Sequence, residues 1–223
     1  MKQISVKGLA DFIEASPVRQ RTIVRQFKYP KEDEARAKIV YYREARDTIE
    51  AYHRGRHAVP WLEEQAGRLD MIAAGLIGRS KTRLQHNTRG IRAYGRHFSS
   101  HAYRPIDDLK LHLTYSDVRV TVNPDLRVRE ASDEFVLKLE FGVDEPSETE
   151  IKVISQLMYE AVSAARLQLK SGNILYLDVP RGRGASRSTG RSSHASKHRS
   201  GMPNDFGDMG SYLNLAGCGV CRM

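Results

Sequence analysis

Cysteine is almost absent: the chain has two in 223 residues, Cys218 and Cys221, so no disulfide framework is expected and a reducing compartment suits it. Long apolar runs are missing too. None approaches the roughly 18 to 20 residues that span a bilayer, which argues against a membrane partner. The opening MKQISVKGLADF lacks the apolar stretch of a secretory signal, so the expected location is the cytoplasm. One long segment lacks one sign of charge altogether. From Arg79 to Arg104 there are seven Lys/Arg and no acidic residue.

The remaining composition is that of a globular chain, with 40% apolar residues to build a core and a formal charge of +9 that favours an anionic partner. Residues 181 to 223 hold seven Lys/Arg against two Asp, which is more than half of that excess.

The first hundred residues read as helical. Ser16 is placed as an N-cap with Pro17 at the first helical position, and VRQRTIVRQF follows up to Pro30. In residues 31 to 54, Ile39, Tyr42, Ala45, Ile49 and Tyr52 recur at three- and four-residue spacing, which predicts one long helix closed by Gly55. A further helix is expected from about Pro60 to Ile77. In a helix over Lys81 to Phe98, Leu84, Ile91, Tyr94 and Phe98 would share one face and Arg89, Arg92 and Arg96 the opposite one. A single-sign stripe of this kind suits phosphate contacts; a solvated surface is the alternative.

After Pro105 the period changes from helical to alternating. LKLHLTY (109 to 115), DVRVTVN (117 to 123) and EFVLKLEF (134 to 141) each predict a strand. In the third, Phe135, Leu137, Leu139 and Phe141 point one way and Val136, Lys138 and Glu140 the other. Ser147 and Glu150 form a capping box for a helix to about Leu167, and NILYLDV (173 to 179) is a last strand. The expected fold is therefore α+β or α/β: a helical region over 1–80, a small mixed-sheet core over 81–180 in the order α-β-β-β-α-β, and a basic low-complexity tail over 181–223, expected to be mostly disordered.

With Asp125 following Pro124 at the end of the second strand, and charged residues midway along the third, residues 81 to 180 resemble the PD-(D/E)XK nuclease superfamily. That resemblance implies a restriction-endonuclease-like core, nucleic acid as partner, and Mg²⁺ held by Asp125 and an acid on the third strand, with Lys138 serving the nucleophile. The pattern departs at one place. The acid is expected two residues before the lysine, where Val136 stands; Glu140, two residues after it on the same strand face, is the substitute, so the candidate catalytic set is Asp125, Lys138 and Glu140. Gln156 and Tyr159 match only loosely a Gln and a Tyr that the exonuclease branch carries on the next helix. The N-terminal half also resembles a set of uncharacterised bacterial proteins, on Ser16-Pro17, Arg19-Gln20-Arg21, Lys28-Tyr29-Pro30 and Tyr41 to Ala45, and that resemblance implies no activity.

Three readings stay open: an intact Mg²⁺-dependent nuclease, an altered nuclease fold that binds nucleic acid or a protein, and an unrelated α+β fold in which Pro124-Asp125 is turn chemistry and Lys138 and Glu140 are a solvated strand face. A non-enzymatic interaction module of bacterial or phage origin, its helical half binding a protein, is the alternative function. In the tail, His194, His198, Cys218 and Cys221 have the ligand types of a zinc site in reversed order, but too few apolar residues lie between them to fold around Zn²⁺. The tail is equally consistent with a phosphate-binding arm and with a degenerate C-terminus.

Overall fold

The computed structural model describes residues 2–29 and 41–186. Among them the chain runs β1 (Lys2–Ser5), α1 (Val6–Glu14), α2 (Pro17–Lys28), α3 (Arg43–Gly55), α4 (Val59–Ala74), α5 (Gly78–His97), β2 (Arg104–Pro105), β3 (Leu111–Tyr115), β4 (Val118–Val122), β5 (Leu126–Glu130), β6 (Asp133–Glu140), α6 (Glu148–Ala164), β7 (Ile174–Asp178) and β8 (Arg183–Ser186). The fold is α+β, with helices dominating the first half and two sheets following.

Local chemistry sets several of these boundaries. Ser16 Oγ accepts from the Arg19 amide with Pro17 at the first helical position of α2, and Ser147 Oγ accepts from the Glu150 amide at 2.9 Å to start α6. The helix expected over 31–54 begins, among the described residues, at Arg43, after a turn at Tyr41 and Tyr42; residues 30–40 lie outside the description.

The strands divide differently from the sequence pattern. β3 and β4 form an antiparallel hairpin, and β1 adds to it in parallel, pairing Lys2 with Val118 and Ser5 with Thr121. This three-stranded sheet has the order β1-β4-β3, whereas the five-stranded sheet has the order β2-β5-β6-β7-β8. The first hundred residues are thus not entirely helical. β1 is a four-residue strand running straight into a helix, too short to display its period. β5 was not expected, and it separates β4 from β6. Asp125 consequently stands one residue ahead of β5, opposite β6, its amide donating to the Leu137 carbonyl at 2.9 Å. β8 likewise reaches into the stretch expected to be unstructured, because Arg183 to Ser186 complete the hydrogen bonding of β7 at the sheet edge.

β6 separates two cores, as its alternation predicts. Leu137, Leu139 and Phe141 pack with Ala45, Ile49, Leu62, Ile91 and Tyr94 of the helical half. On the other face Val136 packs with Ile174, Tyr176 and the α6 residues Ile154, Leu157 and Met158, and this core extends to Val120 and Val122 of the smaller sheet and to Val6 of α1. The side chains predicted for the greasy face of α5, Leu84, Ile91, Tyr94 and Phe98, are all buried. Gly90 allows β6 to approach this helix: a Cβ there would meet the Phe141 ring at 2.8 Å.

Candidate functional site

Asp125, at the head of β5, is covered on all sides, its side chain 2% exposed. Its Oδ2 accepts from the Lys138 ammonium at 2.7 Å and from the Leu139 amide at 2.8 Å, while Oδ1 accepts from the Arg46 guanidinium at 2.9 Å. Burial by itself would push this carboxyl up. The charge and hydrogen bond of Lys138, with Arg46 and the Leu139 amide, outweigh burial and hold it below the usual aspartate range. The strand register predicts the Asp125–Lys138 meeting, since Leu126 pairs with Leu137. Arg46 comes from α3, 79 positions earlier, and no local pattern announces it.

Glu140 shares the Lys138 face of β6 but has its own partners. Its Oε2 accepts from Lys7 of α1 at 2.6 Å and from the Tyr176 hydroxyl at 3.4 Å, and its Oε1 accepts from the Gly142 amide at 2.8 Å. Lys7 also lies 3.2 Å from Glu150, so the capping-box glutamate is joined to the N-terminal helix. Burial works against the Lys7 charge, but Glu140 and then Glu150 overcome it and raise its pKa. Burial likewise raises the Tyr176 hydroxyl, with Glu140 adding to the shift. Val136, at the expected acid position, is fully buried against α6. Gln156 donates to Glu160 at 2.6 Å, and Glu160 in turn accepts from Tyr115 at 2.7 Å.

The cationic stripe on α5 is uneven. Arg89 and Arg96 are exposed, with no ion pair to a described residue. Arg92 is clamped by Glu63 at 2.7 Å and Asp70 at 2.8 Å on α4, hydrogen bonds that raise its pKa further. The helix is all-basic, but its hairpin partner supplies the acids. Arg83 similarly meets Glu44 of α3.

Sequence reasoning passed over a second cluster, where the end of α3 meets β2 and the loop that precedes it. His53, His57, His101, Tyr52, Tyr103, Arg56 and Arg104 help to line a pocket of about 250 Å³. His53, 4% exposed, bonds the Tyr94 hydroxyl at 2.6 Å, and burial, helped by His101, pushes its pKa down to about 4. His101 lies 3.3 Å from Glu130 and stacks on Tyr103 with the rings 4.6 Å apart. The only signal was histidine frequency, because the residues come from α3, β2 and the loops beside them, far apart in the chain.

Among the described residues no group of three or more His, Cys, Asp and Glu is placed to hold a metal ion. His194, His198, Cys218 and Cys221 lie outside the described residues. Among the described residues no helix is long and apolar enough to cross a membrane. No family model, no curated protein and no solved structure matches the chain at a significant level.

Proposed function

We propose that this protein binds nucleic acid without cutting it, on a nuclease-like core whose metal site has been replaced by ion pairs. One observation carries the reading: the Asp125 carboxylate is enclosed by Lys138, Arg46 and the Leu139 amide, while Glu140 is engaged by Lys7. Mg²⁺ needs nearly octahedral oxygen ligands. Two cations already facing Asp125 repel a third, and Val136 supplies no oxygen, so this donor set does not fit the metal. Lys138, bound to Asp125, is equally unavailable to a nucleophile.

Binding is supported by the exposed guanidinium groups of Arg89 and Arg96 on a helix without a single acidic residue. The test is a salt titration of duplex and single-stranded oligonucleotides by fluorescence anisotropy, beside a cleavage assay with Mg²⁺ or Mn²⁺. Affinity that falls linearly in log salt, with no metal-dependent cleavage, is expected. Cleavage lost in Asp125→Ala would reinstate the nuclease, and affinity indifferent to salt would remove phosphate contacts from consideration.

The protein-interaction alternative has one observation in its favour: Met71, Ile72 and Ile77, at the tip of the α4–α5 hairpin, are 72%, 56% and 90% exposed. Under the leading reading Ile77→Ser leaves nucleic-acid affinity unchanged.

A further inference from the structure

We infer that the pocket between the end of α3, the loop after α5 and strand β2 is a subsite for one nucleoside phosphate, its base against the His57 and His101 rings and its phosphate against Arg56 and Arg104. This deepens the nucleic-acid reading by naming where an unpaired nucleotide would sit, but uses residues outside the α5 stripe. The ligand is either a free mononucleotide or the terminal nucleotide of a single strand, which share this chemistry.

The lining sets the ligand class. None of its residues is acidic, and Arg56 and Arg104 are exposed and form no ion pair with a described residue. Guanidinium groups with spare donors suit a phosphate, whose oxygens accept paired hydrogen bonds. Between them the rings within reach are the His57 and His101 imidazoles, backed by the buried Tyr52, His53 and Tyr103, and such rings are surfaces on which bases stack. At about 250 Å³ the space lies below the roughly 300–1,000 Å³ common for drug-sized ligands, which favours one ring over a dinucleotide.

The pocket wall is held by its own turn chemistry. Arg56 caps α3 in the left-handed region at φ 51°, unusual for a residue with a Cβ. The preceding Gly55 clears room for His57: a Cβ there would lie 2.2 Å from the imidazole Nε2. His57 then stacks on Trp61, rings 4.2 Å apart and 7° from parallel. On the opposite wall His101 is held between Tyr103 and the Glu130 carboxylate, which also accepts from the Ala102 amide at 2.7 Å. His53 lies deeper, tied to Tyr94.

Trp61 is the only tryptophan of the chain, so its emission reports on the ring stacked against it. The experiment titrates the full-length protein with AMP, adenosine and ribose 5-phosphate, following Trp61 fluorescence and heat by calorimetry. AMP is expected to bind saturably and to change the emission, with adenosine and ribose 5-phosphate at least about tenfold weaker, since each lacks one of the two contacts. Arg56→Ala and Arg104→Ala are each expected to weaken AMP by about five- to tenfold. Gly55→Ala, whose backbone needs no left-handed conformation, is expected to displace His57 and lower AMP affinity in a protein that stays folded. Absence of saturable AMP binding, or unchanged affinity in the Arg56→Ala/Arg104→Ala double variant, overturns the subsite. A 5′-phosphorylated single strand binding about tenfold or more tighter than AMP assigns it to strand ends, and equal or weaker binding assigns it to free nucleotide. Arg89→Ala/Arg96→Ala should leave AMP binding intact, so failure of the duplex-binding reading is distinguishable from failure of this one.

Discussion

Asp125 and Lys138 form an ion pair in which the ammonium is 2.7 Å from a carboxylate 2% exposed, between the residue ahead of β5 and the middle of β6. Removing one partner from such a pair strands the other. Asp125→Ala leaves Lys138 and Arg46 facing each other over a vacated site, and about 3–5 kcal/mol of stability should be lost in urea denaturation. Replacing all three together, Asp125→Leu with Lys138→Met and Arg46→Met, should lie closer to the wild type than Asp125→Ala does. A triple variant no better than Asp125→Ala would show that the ions themselves stabilise the fold.

The same carboxylate has an acid limit. Its folded pKa lies below its unfolded value, so its contribution is fully present above the ordinary aspartate pKa near 4 and is lost as pH falls through the lower folded value. The stability gap between wild type and Asp125→Ala should therefore be constant above about pH 5 and close progressively below about pH 4. Denaturation curves at pH 7, 5, 4 and 3 measure this; a gap independent of pH would mean that Asp125 is not the titrating partner.

His53 acts in a different window. Its folded pKa, about 4, lies below the ordinary 6.5, so between those values the unfolded chain takes up a proton that the native chain refuses. Stability should thus be greatest above pH 6.5 and fall as the pH drops towards 4, by about 2 to 3 kcal/mol for this one group. His53→Gln should flatten that part of the pH profile. A His53 imidazole, assigned by the loss of its resonance in His53→Gln, titrating near 6.5 in proton NMR of the native protein would contradict the expectation.

These expectations divide according to what the sequence could carry. The alternation of residues 134 to 141 made both faces of β6 legible, and the Ser147 and Ser16 caps made two helix starts legible, because each is a contact within three residues. β5 escaped notice because LRVRE, five residues directly after Pro-Asp, reads as a continuation of the turn; its Leu126 and Val128 are nevertheless buried. The fate of the candidate site was still less visible. Arg46 reaches Asp125 across 79 positions and Lys7 reaches Glu140 across 133, and a chain pattern gives no warning of which cation closes on a carboxylate at that separation.

The α5 arginines should divide into two classes. Arg89→Ala and Arg96→Ala remove exposed charges that form no ion pair with a described residue, and should each reduce the slope of log affinity against log salt by about 0.9 on duplex DNA. Arg92→Ala instead breaks contacts to Glu63 and Asp70, exposed enough that it should cost less than about 1 kcal/mol of stability. Its effect on affinity should be the smaller one, because its charge is already neutralised. Equal salt slopes for all three variants would show that nucleic acid displaces the Glu63 and Asp70 pairs.

Val136→Glu restores the acid that the nuclease motif requires and tests whether only that residue is missing. Val136 is fully buried and packs with Ile154, Met158 and Ile174, while Arg127, opposite it on β5, is already paired with Glu134. A carboxylate placed there must either ionise in an apolar core, at a cost of several kcal/mol, or take up a proton and become useless as a metal ligand at neutral pH. It would also meet a neighbouring site already neutralised by Lys138 and Arg46. The expected outcome is a marked fall in Tm and no gain of Mn²⁺-dependent cleavage, read by thermal melting and a supercoiled-plasmid assay. A stable Val136→Glu protein that cuts DNA with Mn²⁺ would mean that the Lys138 and Arg46 pairs open readily for a metal, and the core would then be a nuclease lacking one ligand.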